Sequence, residues 1–282
     1  MTVVQRDIQH SIRSLGLSGH PICLHSSLRS FGQVEGGAEV VVAAFLQEQC
    51  TLLVPTFSWT FAVPPPLHLR PPRNGWNYPA FSIPTPGSGG IYRPACPDID
   101  REMGAIPVTV VGWPKRARGN HPLCSFAAVG PLAGAIIADQ SPLDVFAPLS
   151  ALAQRDGTVL LAGVGLDKMT LLHLAEKVAG RTPFRRWAHD CHGQPMTVEV
   201  GSCSNGFANF EPYLQAVLTS TLVGQSEWKA YPARQALHDA TVAIQANPSV
   251  THCSEQTCER CNDAVAGGPI LFPHYPNTEV TG

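Results

Sequence analysis

Gly157-Thr-Val-Leu-Leu-Ala-Gly-Val-Gly165, followed by Thr170-Leu-Leu-His-Leu-Ala-Glu176, reads as an apolar strand, a small-residue turn and a helix. An unbroken run of apolar residues suits a strand buried in a sheet. His173 falls in the first full turn of the helix, beyond the carboxyl end of the strand, where α/β proteins build their sites. Glu176 lies three residues on and shares the histidine's helical face. Such a pair sets the tautomer and basicity of an imidazole.

Outward from this unit the same alternation recurs. Val4, Ile8, Ile12 and Leu15 form one stripe of an amphipathic helix. Residues 21–25 read as a strand, 37–49 as a helix and 51–55 as the next strand, a spacing that predicts a sheet with helices on its faces. Further helices are expected over 131–140, 169–179, 210–220 and 234–245, with weak strands at 184–188 and 195–200. Residues 62–102 interrupt the pattern with ten prolines and the run Gly87-Ser-Gly-Gly90. A loop of that length on a rigid scaffold is expected to act as a lid or substrate wall. No repeat or linker is evident, so one domain over 1–282 is expected.

Composition narrows the function. With 44% hydrophobic and 14% charged residues, the 282-residue chain can bury a substantial core. A formal charge of −2 offers no bulk attraction for nucleic acid or an anionic membrane but suits a cationic substrate. The longest apolar run, Val40–Leu46, is far short of the ~20 residues that span a bilayer. The stretch Met1-Thr-Val-Val-Gln-Arg-Asp lacks the apolar core of a secretory signal, which points to the cytoplasm.

Several short motifs follow one another in order: His25-Ser-Ser-Leu-Arg-Ser-Phe-Gly32, Gly36-Gly37, Val54-Pro-Thr-Phe-Ser58, Met103-Gly-Ala-Ile-Pro107 and His121-Pro-Leu-Cys-Ser-Phe-Ala127. Pro148-Leu-Ser, the strand before Gly163, Thr170–Glu176, Cys203-Ser-Asn-Gly-Phe207 and Glu211-Pro212 complete the series. In this order the chain resembles the aminoglycoside 3-N-acetyltransferase family. The resemblance implies a three-layer α/β/α sandwich with a mixed central sheet, distinct from the common acetyltransferase fold. It also implies transfer of acetyl from acetyl-coenzyme A to the 3-amino group of a deoxystreptamine ring, with antibiotic resistance as the outcome and no metal in the chemistry.

The residues and the resemblance can be read side by side. An amine is protonated at neutral pH and must lose a proton before it attacks a thioester; an imidazole with an ordinary pKa near 6.5 can take it. His173 matches the family's general base. Two carboxylates compete to orient it: Glu176 on the same helix, and Glu211, which matches the family's acidic partner and is the preferred one here. Glu176 is then a supporting group near the substrate. Thr170 is a candidate to stabilise the oxyanion. Ser26, Ser27, Leu28, Arg29 and Ser30 form a hydroxyl- and amide-rich turn after a strand, either a phosphate cradle or a polar capping turn; the resemblance makes it a coenzyme site. Asn120, His121 and Ser125 match a family motif lining the same cleft. Asp98, Asp100 and Glu102 are candidates to hold a polycationic acceptor, or simply solvated charges. The protein is expected as a monomer or homodimer.

Other chemistries fit less well. Gly163-Val-Gly165 would need a third glycine at Lys168 to be a dinucleotide fingerprint, and reads as a tight turn. No Gly-x-Ser-x-Gly elbow occurs. Nine cysteines, an odd number without secreted character, argue against a disulfide framework. His252-Cys253-x4-Cys258-x2-Cys261 has donors that suit zinc, with Cys191 or His192 as a possible fourth ligand, but reduced thiols near a helix end are the preferred reading. A zinc-dependent hydrolase and an acetyltransferase acting on another amine are the alternatives.

Overall fold

A computed structural model describes residues 2–78 and 89–271. In chain order the first half contains β1 (Thr2–Val3), α1 (Gln5–Ser14), β2 (Pro21–Ser26), β3 (Gln33–Val34), α2 (Gly37–Gln47), β4 (Thr51–Pro55), α3 (Ala105–Gly112), β5 (Ala117–Arg118), β6 (Phe126–Val129) and α4 (Ala133–Ile137). The second half contains α5 (Ala147–Gln154), β7 (Thr158–Ala162), α6 (Leu171–Val178), β8 (Phe184–His189), β9 (Pro195–Val200), α7 (Glu211–Leu214), β10 (Thr219–Val223), β11 (Ser226–Pro232), α8 (Ala233–Ala246) and α9 (Glu259–Val265).

Seven strands form the central sheet in the order β10-β11-β7-β2-β4-β6-β5. β2 runs parallel to both β4 and β7, and the remaining pairs are antiparallel. Successive side chains of a strand point to opposite faces, and here both faces are apolar. Cys23, Leu53, Val159 and Leu161 join a core with α4, α5, α6 and α8; Ile22, Leu24, Leu52, Val54, Leu160 and Ala162 join another with α1, α2 and α3. The result is a three-layer α/β/α sandwich with a mixed sheet, as expected.

β8 and β9 pair with each other as a separate antiparallel hairpin. The helix expected over 210–220 is shorter. Pro212 starts α7, but the chain then turns and enters β10, whose Thr219 and Thr221 pair with Ala230 and Trp228. Of the long loop, residues 79–88 lie outside the described residues; Arg118 pins another part through hydrogen bonds from its guanidinium to the carbonyls of Cys96 and Asp98. No described helix is long and apolar enough to cross a membrane.

Because β2, β4 and β7 are parallel, their carboxyl ends share one edge of the sheet. His25 is level with Leu161, and Ser26 with Ala162. Gly163, with φ +68°, lets the chain leave β7 directly against the next segment: a Cβ there would lie 1.9 Å from Ser30 Oγ. That edge carries the site.

Candidate active site

His173 occupies the junction of two cavities. One, of about 910 Å³, opens at the carboxyl ends of the parallel strands and is lined by Ser26, Ser27, Leu28, Arg29 and Lys168, among others. The other, of about 770 Å³, is walled by Phe57, Trp59, Trp76, Phe126 and Phe146, with Arg186 and Arg260. Phe57, Thr170, His173 and Ser204 line both. Thr170 immediately precedes α6, and its carbonyl accepts from the His173 amide at 3.0 Å.

The imidazole is held from every side. Phe146 stacks on it at 6.0 Å and Phe207 lies against it at 4.7 Å between ring centroids. Gly201 backs the ring so closely that a Cβ would sit 2.7–2.9 Å from its atoms. His173 Nδ1 lies 2.9 Å from Glu176 Oε2. A carboxylate only accepts, so Nδ1 carries the proton and Nε2 keeps its lone pair. Ser202 Oγ donates to the same Glu176 oxygen at 2.5 Å, and Arg181 Nη1 donates to the other at 2.7 Å. Arg181 is in turn held by Thr251 Oγ1 and the Pro248 carbonyl. A buried carboxylate needs such compensation, and Glu176 receives it from three donors.

The carboxylate that reaches the ring is Glu176, where the sequence preferred Glu211. Glu211 is exposed at the start of α7, and among the described residues it has no hydrogen bond or ion pair to His173. Its place is taken by Glu176, because the i,i+3 spacing on α6 already aims the two side chains at one another. Glu176 is consequently enclosed by its partners and does not line the smaller cavity.

The turn after β2 divides. Ser26, Ser27, Leu28 and Arg29 face the larger cavity, whereas Ser30 Oγ donates to the Ser27 carbonyl, pairs with the Ser226 hydroxyl at 2.8 Å and does not line it. His121 and Ser125 also stand outside the cleft, fully buried. His121 Nδ1 accepts from the Leu123 and Cys124 amides, so Nε2 donates to the Glu199 carbonyl at 2.8 Å. Burial lowers its pKa to about 4, which keeps the ring neutral. Ser125 is bonded to Thr56 and Arg118. Both residues are tied into the surrounding loops and line neither cavity.

None of the expected acidic trio lines the smaller cavity. Asp98 is exposed, and its carbonyl rather than its carboxylate is engaged, by Arg118. The Asp100 carboxylate accepts the Trp59 amide at 3.0 Å, and burial raises its pKa. Glu102 lines the larger cavity instead. Glu259 is the one carboxylate among the described residues lining the smaller cavity. Facing it, Arg186 stacks over Trp76 at 4.2 Å; burial, with the charge of Arg260, lowers Arg186 to about 9, still cationic at neutral pH. Residues 75–77 of the long loop form part of this wall.

Sequence reading missed Ser202, Arg181, Arg186 and Arg260. Ser202 and Arg260 are brought in from distant segments, and nothing in their local sequence marks them. Arg181 follows Glu176 by five residues, a spacing that suggests proximity only once α6 is known to end at Val178.

Residues 23–245 match the family model described as aminoglycoside 3-N-acetyltransferase. Aminoglycoside N(3)-acetyltransferase IX of Micromonospora chalcea is 35% identical over 63% of each chain, so this chain spans just under two thirds of that relative's length. The SPbeta prophage-derived aminoglycoside N(3')-acetyltransferase-like protein YokD of Bacillus subtilis is 33% identical over 69% of this chain and 71% of its own. The crystal structure of the apoenzyme of aminoglycoside acetyltransferase AAC(3)-IVa superposes with a TM-score of 0.76 at 25% identity, covering 94% of this chain and 98% of that one.

Proposed function

The chain belongs to the aminoglycoside 3-N-acetyltransferase family, and on that premise we propose that it transfers acetyl from acetyl-coenzyme A to the 3-amino group of an aminoglycoside's deoxystreptamine ring, conferring resistance in the cytoplasm. The observation that carries this reading is the position of His173 at the meeting point of two cavities, with Glu176 on Nδ1 and Nε2 left to act. The larger cavity would take the coenzyme, with Arg29 and the amides after β2 near its phosphates. The smaller would take the acceptor.

In this mechanism His173 Nε2 removes the proton from the attacking amine, and Glu176 balances the charge that the ring acquires. The nitrogen bonds to the thioester carbon. Thr170, or a nearby backbone amide, donates to the oxygen as negative charge develops there, a contribution of about 2.7–4 kcal/mol when such a donor is well aimed. The carbon–sulfur bond then breaks, and the imidazolium returns its proton to the departing thiolate. Phe146 and Phe207 keep the ring dry and in place. Metal is not needed for any of these steps.

One observation favours a second reading, an acceptor other than a polycationic antibiotic. The acceptor cavity is aromatic and presents two arginines against a single carboxylate, Glu259, whereas a cluster of ammonium groups calls for several carboxylates. Purified protein incubated with acetyl-coenzyme A and a panel of aminoglycosides, read by product mass, tests both. A single added acetyl on deoxystreptamine drugs, lost by 10²–10⁴-fold in His173→Ala on the order expected for a general base, is the expected result. Turnover only with aromatic or anionic amines would select the second reading, and near-normal turnover by His173→Ala would remove the proposed mechanism.

A further inference from the structure

Outside the catalytic junction, four sulfur atoms come together. Cys203, Cys253, Cys258 and Cys261 place their Sγ atoms all within 4.8 Å of one another. In a tetrahedral zinc thiolate, metal–sulfur bonds of about 2.3 Å put the sulfurs roughly 3.8 Å apart, so only a small contraction separates this arrangement from a ligand shell. We propose that these four cysteines form a structural zinc site that clasps the chain after β9 to the segment leading into α9.

Three features support a metal over a simple nest of thiols. The cluster stands apart from both apolar cores and consists of cysteines alone, so burying it gains little as packing. A backbone amide is aimed at the cluster: that of Cys253 donates to Cys261 Sγ at 3.4 Å. Such a donor stabilises a thiolate held by a metal. Arg260 lies close enough to Cys203 to offset part of the negative charge of a four-thiolate centre. Binding would be Zn2+ plus four thiols giving a doubly negative zinc tetrathiolate and four released protons.

The donor set differs from the one its spacing suggested. His252 is occupied on both ring nitrogens, by the Cys253 carbonyl and Asn262 Oδ1. Cys191 is exposed in the turn between β8 and β9. Cys203 completes the set from fifty residues upstream, which no local pattern could reveal. The two clasped segments already meet closely: a Cβ on Gly206 would lie 2.4 Å from the Thr251 carbonyl, and Asn209 bonds the Val250 and His252 carbonyls.

The clasp has a consequence for the catalytic junction. Ser202, adjacent to Cys203, donates to Glu176, and Gly201 backs His173. Cys258, Glu259 and Arg260 line the acceptor cavity. Zinc would therefore fix one wall of that cavity and the support of the general base without entering the reaction.

Metal analysis of the full chain, purified without a metal-affinity step, tests this whatever the acceptor proves to be. About one zinc per chain is expected, lost in Cys258→Ser and in Cys203→Ser and retained in Cys191→Ser. Stripping with chelator should lower Tm, and zinc should restore it. Should the serine variants fail to fold, cobalt(II) added to the reduced wild-type apoprotein should give the intense visible absorption of a tetrahedral thiolate complex. Zinc-free protein whose Tm ignores added zinc, a weak octahedral cobalt spectrum, retention of zinc by Cys258→Ser, or an intact mass showing these cysteines as disulfides would each overturn the proposal.

Discussion

At His173 the proposed mechanism gives the two ring nitrogens separate duties, and the division rests on Glu176, which holds Nδ1. Exchange of that carboxylate for an amide removes the charge that stabilises the imidazolium and leaves one accepting oxygen where His173, Ser202 and Arg181 now share two. Glu176→Gln is expected to lower turnover by about 10²-fold and to cost stability, because Arg181 would be left buried without its counter-charge, a loss of roughly 3–5 kcal/mol. Glu211→Gln should change turnover by less than about 2-fold, as an exposed substitution away from the site usually does. Steady-state kinetics and denaturant titration of both variants separate the two roles. The histidine itself was readable from its strand-end position and its motif. The choice between two carboxylates was not, because it depends on where Ser202 and Arg181 arrive in three dimensions.

Among the elements, the β9-to-α7 connection does most to hold the imidazole in position. Gly201 has no Cβ because the ring occupies that space. Gly201→Ala should push His173 out of line and lower turnover by roughly 10²-fold, the cost typical of an ångström-scale misplacement, while coenzyme binding measured by calorimetry stays near wild type. Changes at both would mean the substitution disturbs the fold more widely. Elements with strong periodicity, such as α1 and α8, were legible as sequence. β10 and β11 were not: the exposed edge strand Thr-Ser-Thr-Leu-Val has no clear apolar alternation, and only pairing with β11 defines it.

Across the whole molecule, two buried histidines are expected to make stability sensitive to acid. His25 and His121 are both lowered to about 4, chiefly by burial, against about 6.5 in an unfolded chain. Between these values the unfolded state binds more protons, so stability is present above pH ~6.5 and is lost as pH falls towards ~4. Each site contributes on the order of 3 kcal/mol over that window. Tm measured from pH 7.5 to 4.5 should fall steeply, and His25→Gln should flatten the slope provided the variant folds; an unchanged profile would show that these rings are not the acid-sensitive groups. By itself the sequence determined the α/β class, the family, the position of His173 just beyond a strand end and the turn after β2, because apolar periodicity and local motifs are properties of neighbouring residues. Only the tertiary structure decided that Glu176 is the carboxylate reaching His173, that Ser30, His121 and Ser125 line neither cavity, that the smaller cavity is lined by two arginines, and that Cys203 joins three distant cysteines. Those outcomes depend on which remote segments share one volume, and short-range patterns carry no record of it.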